Sequence, residues 1–185
     1  FAQRGIPLIL SASPRSEQAL VDLAAQLQAQ YGVAALQHCV DLGQAGAADA
    51  LAAWVQAQGL QVAYLVNNAG FGICEQAVQD YEPERFAQML QVNMLAPSRL
   101  ISHFLPPMVA RRSGRVLNVS SIAGYIYPHH RQGAYAATKA YMVSLSESMA
   151  SDLRGTGVGG TRLAPGAGYT ALCGSAGLAH AGTIS

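Results

Sequence analysis

Val62-Ala-Tyr-Leu-Val-Asn-Asn-Ala-Gly70 decides the fold class of this chain, because a short apolar run ends there in a polar, glycine-containing turn. An apolar run bounded by turn residues is typical of a strand that is buried on both faces of a parallel sheet. Glycine at its end lets the backbone approach a ligand without interference from a side chain. The stretch therefore predicts a strand over 62–66 with a binding loop at its carboxyl end.

The same alternation of short apolar runs and longer amphipathic runs continues in both directions. Further strands are predicted at 7–12, 33–40, 115–119 and 161–164, and helices at 16–31, 47–58, 83–111 and 134–153. Pro106 and Pro107 are expected to kink the third helix. Strands that alternate with helices indicate βαβ units. We therefore expect one doubly wound, three-layer α/β/α domain with a parallel sheet over 1–170, followed by a loose C-terminal tail at 171–185.

The composition favours a compact, largely buried domain over several other classes of protein. Apolar residues make up 51% of the 185 residues and charged residues 11%, which argues against disorder. A formal net charge of +1 gives no electrostatic case for nucleic acid or a membrane surface. No apolar run approaches the roughly 20 residues that cross a bilayer. Cys39, Cys74 and Cys173 are widely spaced, which predicts unpaired thiols in the cytoplasm and no metal site.

Polar or glycine-containing clusters follow four of the predicted strands. They are Asp41, the turn 67–70, the pair Ser120-Ser121 and the pair Pro165-Gly166. Ligands of parallel sheets bind beyond the carboxyl ends of the strands. The four clusters therefore predict a ligand site at one edge of the sheet.

Tyr135 and Lys139 are four residues apart in a predicted helix, so they are expected on the same face. A nearby ammonium favours the phenolate, which would lower the pKa of the tyrosine. Such a phenol suits proton transfer during reduction of a carbonyl, or oxidation of an alcohol, at a nicotinamide ring.

These motifs, in this order, resemble the short-chain dehydrogenase/reductase superfamily from residue 1 to about residue 170. The matching positions are Asp41, Asn67-Asn68-Ala69-Gly70, Asn93, Asn118-Val119-Ser120-Ser121, Tyr135-Ala-Ala-Thr-Lys139, and Pro165-Gly166 with Thr170. The resemblance implies a Rossmann-type fold and NAD(P)-dependent interconversion of a carbonyl and an alcohol in a small-molecule substrate.

The resemblance also implies a role for each of these positions. Tyr135 would be the acid/base, Lys139 would bind the nicotinamide ribose and lower the Tyr135 pKa, and Ser121 would orient the substrate oxygen. Ser120 stays an alternative, because the step from Ser121 to Tyr135 is one residue longer than in many relatives. Asn93 would position a water that links Lys139 to solvent. The cofactor-binding residues would be Asp41 at the adenine, Asn67, Ala69 and Gly70 on the adenosine side, and Pro165, Gly166 and Thr170 near the nicotinamide.

The chain also departs from the family pattern. The first strand and its Gly-rich pyrophosphate turn are absent, and that strand would lie between 7–12 and 62–66. Its absence predicts unpaired backbone groups and an apolar gap. Gly155-x-Gly157-x-x-Gly160 fits a dinucleotide motif, but it follows a helix and is interpreted as a helix cap and a loop. The pair Gly159-Gly160 is expected to weaken the last strand.

Cofactor preference, activity and assembly stay partly open. No acidic residue follows the strand 7–12, whereas Ser13 and Arg15 could hold a 2′-phosphate, so NADP is favoured and NAD stays possible. The alternative to an active oxidoreductase is a non-catalytic fragment or pseudoenzyme that serves as a binding or dimerisation module on the same fold. A third possibility is a chain that does not fold stably alone. The apolar faces of helices 83–111 and 134–153 could also pair two copies in a homo-oligomer.

Overall fold

The computed structural model describes residues 1–73, 76–126 and 131–166, where five strands alternate with five α-helices. The strands are β1 (Leu8–Ala12), β2 (Ala35–Cys39), β3 (Tyr64–Asn67), β4 (Gly114–Val119) and β5 (Val158–Leu163). The helices are α1 (Glu17–Tyr31), α2 (Ala47–Ala57), α3 (Pro83–Leu90), α4 (Ala96–Ala110) and α5 (Gly133–Asp152). The predicted order of elements is confirmed. The predicted tail and Thr170 lie outside the described residues.

All of these strands pair in parallel, as the βαβ alternation predicts, but they form two sheets. β1 pairs with β2, and the second sheet has the order β3-β4-β5. In the described part of the chain no ladder joins β1 to β3, which is where the sequence analysis places the absent strand. The two sheets share one core, because Ile9 of β1 packs against the cluster that contains Leu65 and Val116 of the other sheet. The parallel α/β class is therefore confirmed, with a break in the sheet.

The core lies between the three-stranded sheet and the helices α2 and α4. Ala52 of α2, Met108 of α4 and Val116 of β4 are each at most 1% exposed. Successive strand residues point to opposite faces, and the other face of β3 is poorly covered. Tyr64 and Val66 are 48% and 42% exposed there. The predicted apolar gap stays a prediction, because the absent strand would lie beside the edge of β3 and not over this face.

The predicted helix over 83–111 is interrupted near its middle. A π-helical turn, Gln91–Leu95, separates α3 from α4. Wide turns of this kind occur often at functional sites, and this one carries Asn93, which is 2% exposed. Pro106 and Pro107 lie inside α4, which continues past both.

The prediction that the last strand begins at residue 161 is wrong. β5 begins at Val158 and includes the pair Gly159-Gly160. A Cβ added at position 160 would lie 2.8 Å from Cε of Met149 in α5, so glycine lets the helix approach the strand closely. Both glycines pair with β4, opposite Arg115 and Val116, and this pairing outweighs the weak strand preference of glycine. Gly155 and Gly157 adopt φ values of 78° and 85° in the loop before β5, in agreement with the interpretation as a cap and loop.

Candidate active site

Tyr135 and Lys139 lie one turn apart near the start of α5, as their spacing predicts. Nζ of Lys139 is 5.7 Å from the centroid of the Tyr135 ring. Lys139 is 4% exposed, and its ammonium donates to the carbonyl of Val119, at the end of β4, at 3.0 Å. An ammonium has three N–H donors, so this one hydrogen bond does not exhaust its capacity to bind acceptors.

The two adjacent serines after β4 have different partners. The hydroxyl of Ser120, which is 3% exposed, donates to the carbonyl of Lys139 at 2.8 Å. The hydroxyl of Ser121 accepts from the amide of Ala123 at 3.2 Å, and it is the serine hydroxyl that affects the pKa of Tyr135. Ser120 therefore ties β4 to α5, and Ser121 is the serine that faces the phenol.

Burial governs the ionisation of the tyrosine and the lysine. It raises the pKa of the Tyr135 phenol above its ordinary value, while the hydrogen bond with Ser121 acts in the opposite direction. It also lowers the pKa of Lys139. The direction for Tyr135 differs from the sequence-based expectation, because desolvation of the phenolate outweighs the favourable interactions in this structure. The phenol is protonated at neutral pH, which is the form that donates a proton.

Asn93 joins the π-helical turn to the loop after β3 and to α5. Its Oδ1 accepts from the amide of Phe71 at 3.0 Å, and its Nδ2 donates to the carbonyl of Phe71 at 2.8 Å. The same Nδ2 donates to the hydroxyl of Thr138 at 3.0 Å, and this fully buried hydroxyl donates to the carbonyl of Tyr135 at 2.8 Å. The role of Asn93 in positioning a water stays a prediction.

Sequence reasoning did not single out Thr138 as part of this network. The available signal was a threonine in the interior of a predicted helix, since such residues prefer caps and turns. Its hydroxyl connects Asn93 to the backbone turn that carries Tyr135, so it helps to hold the acid/base residue in place.

A second buried polar line crosses from β3 to α5. Nδ2 of Asn67 donates to Oδ1 of Asn118 at 2.9 Å, and Nδ2 of Asn118 donates to the hydroxyl of Ser146 at 2.9 Å. Asn118 is 0% exposed. The motif analysis included Asn118 without giving it a role, and the structure shows it as the centre of this line. The predicted contact of Asn67 with adenosine stays a prediction.

The comparison with known proteins agrees with this arrangement. The model of the short chain dehydrogenase family matches residues 1–179. The chain belongs to the short-chain dehydrogenase family. It is 35% identical over 167 residues to a short chain dehydrogenase of Pseudocercospora fijiensis, a match that covers 90% of this chain and 53% of that protein.

Two further relatives are named for their cofactor. The NADP-dependent 3-hydroxy acid dehydrogenase of Escherichia coli is 30% identical over 166 residues, which cover 90% of this chain and 64% of that enzyme. The solved structure of a short-chain dehydrogenase from Sphingobium yanoikuyae in complex with NADPH has a TM-score of 0.85 at 28% identity, over 93% of this chain and 65% of that one. This short-chain dehydrogenase chain therefore spans about half to two-thirds of the length of these relatives.

The remaining predicted residues of the short-chain dehydrogenase site lie in loops after the strands. Gly70 is the innermost of them, because a Cβ there would lie 3.1 Å from Oδ1 of Asn93 and 3.3 Å from Nζ of Lys139. Ala69 is exposed beside it. On the far side of the site, the carbonyl of Pro165 accepts from the amide of Ile122 at 3.0 Å. The exposed residue Gly166 follows.

Three predicted residues follow the strands of the other sheet. Asp41 comes after β2, is exposed, and accepts from the amide of Gly43 at 2.9 Å. Ser13 and Arg15 are exposed after β1. The structure thus brings Asn93, Ser121, Tyr135 and Lys139 together, and leaves Asp41 and Arg15 on the other side of the break.

The described residues, 1–73, 76–126 and 131–166, contain neither a metal-ligand cluster nor a membrane-spanning helix. No three His, Cys, Asp or Glu side chains there form a group that could hold a metal ion. None of the helices there is long and apolar enough to cross a membrane.

Proposed function

We propose that this chain interconverts a carbonyl and an alcohol in a small-molecule substrate by NADP-dependent hydride transfer, with Tyr135 as acid/base. The observation that carries the proposal is that the hydroxyl of Ser121 and the buried ammonium of Lys139 both lie near the phenol of Tyr135. A proton donor, a second hydroxyl and a positive charge then lie within reach of one substrate oxygen.

Reduction of a carbonyl requires a hydride at carbon and a proton at oxygen. Hydride transfer is the chemistry that a nicotinamide supplies when it is bound. The phenol of Tyr135 donates its proton to the carbonyl oxygen, to which the hydroxyl of Ser121 donates a hydrogen bond. The ammonium of Lys139 stabilises the phenolate that remains. In the direction of oxidation the phenolate accepts the proton of the alcohol.

The residues at the strand ends fit a nicotinamide nucleotide. The clearest sign is Gly70, where a Cβ would lie 3.3 Å from the ammonium of Lys139, so a larger residue would crowd the group that binds the ribose hydroxyls. The exposed guanidinium of Arg15, with Ser13, is the candidate partner of a 2′-phosphate. The other residues proposed to contact the cofactor are Asp41, Asn67, Ala69, Pro165, Gly166 and Thr170.

Binding and turnover can be tested separately on the full chain. In fluorescence titrations we expect tighter binding of NADPH than of NADH, and loss of binding in Lys139→Ala. With a panel of ketones and aldehydes, Tyr135→Phe should lower kcat by about 100-fold or more while NADPH binding is retained. Tyr141→Phe is a matched control. It also removes a tyrosine hydroxyl from α5, but that hydroxyl bonds Ser98 at 2.8 Å.

Each outcome distinguishes the candidate functions. Turnover that survives in Tyr135→Phe would contradict the acid/base role. A folded chain that binds neither nucleotide and reduces no carbonyl would support the alternative, a non-catalytic binding or dimerisation module. In that case the helical stretches 83–111 and 134–153 are the surfaces to test for self-association, by sedimentation of the intact chain and of variants in these helices.

A further inference from the structure

The guanidinium of Arg162, in β5, contacts a loop and a helix at the same time. Its Nε donates to the phenol oxygen of Tyr125, and its Cζ is 5.6 Å from the centroid of that ring. Its Nη2 is 2.9 Å from Oε1 of Glu147 in α5. Arg162 therefore joins three separate elements beside the candidate active site.

The strand register explains why Arg162 faces α5. It is the partner of Asn118 in the ladder between β4 and β5, and partners in neighbouring strands share a face. Asn118 bonds Ser146 in α5 at 2.9 Å, so both side chains face this helix. A guanidinium is a planar fork with several donors, so Arg162 contacts Tyr125 and Glu147 at the same time.

The loop that Arg162 holds is the one that carries Ser121. Tyr125 follows Ile122–Gly124, a 3-10 helix of one turn, and Ser121 is the N-cap of this turn. At the start of the turn the amide of Ile122 donates to the carbonyl of Pro165 at 3.0 Å. At the other end of the turn, the side chain of Tyr125 is held by its contact with Arg162.

We propose that Arg162 is a positioning residue for Ser121. By holding Tyr125 it fixes the 3-10 turn, and the fixed turn keeps the hydroxyl of Ser121 aligned with the phenol of Tyr135. Arg162 acts through the turn and not on the reacting atoms. Its effect on turnover rests on the proposed function, whereas its effect on the turn and on Tyr135 does not.

The anchor is tested first by amide hydrogen exchange in the full chain. We expect the amides of 121–126 to exchange about 5- to 30-fold faster in Arg162→Ala, the factor that corresponds to one moderate interaction. Arg162→Lys should restore protection only in part, since an ammonium lacks the fork. Arg154→Ala is the control, because it removes an exposed arginine from the loop after α5. Exchange in α2 reports whether a variant has lost global stability.

A gentler variant keeps the test valid if Arg162→Ala unfolds. Tyr125→Phe keeps the ring and removes only the hydroxyl that Arg162 contacts, so it should also accelerate exchange of the turn. In the double variant the two effects should not add, because both remove the same contact. Additive effects would overturn the inference.

The ionisation of Tyr135 reports the position of Ser121 without any need for turnover. The hydrogen bond from Ser121 lowers the pKa of Tyr135 against the effect of burial. A loosened turn should therefore raise that pKa further in Arg162→Ala. Phenolate absorbance measures it, as the difference between each protein and the same protein that also carries Tyr135→Phe.

Turnover completes the test and separates the two proposals. If the chain reduces carbonyls, kcat should fall in Arg162→Ala by a factor similar to that in exchange, with NADPH affinity unchanged. Unchanged exchange of the turn and an unchanged Tyr135 pKa would overturn the positioning role even in an active enzyme. A chain without reductase activity would overturn the proposed function, and exchange and the Tyr135 pKa would still decide the role of Arg162.

Discussion

Gly124 is the point at which the loop after Ser121 rests directly on the backbone of α5. A Cβ at this position would lie 2.8 Å from the carbonyl carbon and oxygen of Lys139 and 3.0 Å from the amide nitrogen of Ala140. All three are backbone atoms inside a helix, so they cannot rotate away as a flexible side chain could. Non-bonded carbon atoms pack best at about 3.5–4.0 Å. In Gly124→Ala the loop or the helix must therefore move by about 0.7 Å or more.

The expected cost follows from this overlap. Overpacking of an ordered site costs about 1–3 kcal/mol, so we expect Gly124→Ala to lower the free energy of unfolding by about that amount. Gly124 has no left-handed φ, so the cost is steric and includes no backbone strain. If the loop lifts from α5 to relieve the overlap, Ser121 moves away from Tyr135, and kcat should fall together with stability.

Gly133→Ala is the matched control for this prediction. It makes the same chemical change at the first residue of α5, where an added Cβ meets nothing within 4 Å. Alanine is also favoured over glycine in a helix. Urea unfolding followed by circular dichroism should give a lower midpoint for Gly124→Ala, with an unchanged slope, and an equal or higher midpoint for Gly133→Ala. Equal midpoints for the two variants would refute the close contact between the loop and α5.

Three other changes test the buried and charged groups. Asn118→Ala should lower the free energy of unfolding by at least about 2 kcal/mol, because the side chain of Asn67 loses its buried acceptor and the hydroxyl of Ser146 keeps only its bond to the carbonyl of Met142. The exposed Asn68→Ala should change it by less than about 0.5 kcal/mol, and equal urea midpoints would contradict this. The pKa of Asp49 is lowered from 3.8, mainly by its hydrogen bond with Arg99. The contribution of Asp49 to stability is therefore present above pH 3.8 and is lost as the pH falls through its lowered pKa. The difference in urea midpoint between wild type and Asp49→Asn should shrink in acid and not persist at the lowest pH. Because burial raises the pKa of Tyr135 above 10.0, the phenolate absorbance that Tyr135→Phe removes should develop only above pH 10.0, and ionisation near neutral pH would show that the lysine dominates.

The order of the elements could be predicted because each strand is a short apolar run that ends in polar or glycine residues. Two features could not be predicted from such patterns. The π-helical turn Gln91–Leu95 continues the apolar periodicity of the helices around it, so one extra residue in the turn leaves no clear signal. The early start of β5 follows from its pairing with β4, in which Val158 lies opposite Gly114, and the sequence pattern does not show this pairing.

The sequence predicted which residues come together at the candidate site better than it predicted their ionisation. Residues 120 and 121 are both serine, so the sequence does not distinguish them. Only the packing of β4 against α5 shows which of them faces Tyr135. The four-residue spacing places Lys139 beside Tyr135, but it carries no information on burial. Because burial determines the direction of the Tyr135 pKa, that direction could not be read from the spacing.

The break between β1 and β3 bears differently on the residues for proton transfer and on those proposed for nucleotide binding. The hydrogen bonds that align Tyr135 and Ser121 run among β3, β4, α5 and the π-helical turn, so this alignment does not depend on how β1 is paired. The position of Arg15 relative to Lys139 does depend on it, because the two sheets are joined through the apolar core around Ile9 and not by a ladder. Apolar contacts fix orientation less strictly than a row of hydrogen bonds. The geometry of proton transfer therefore rests on hydrogen bonds within one sheet and its helices, whereas the placement of Arg15 rests on apolar contacts.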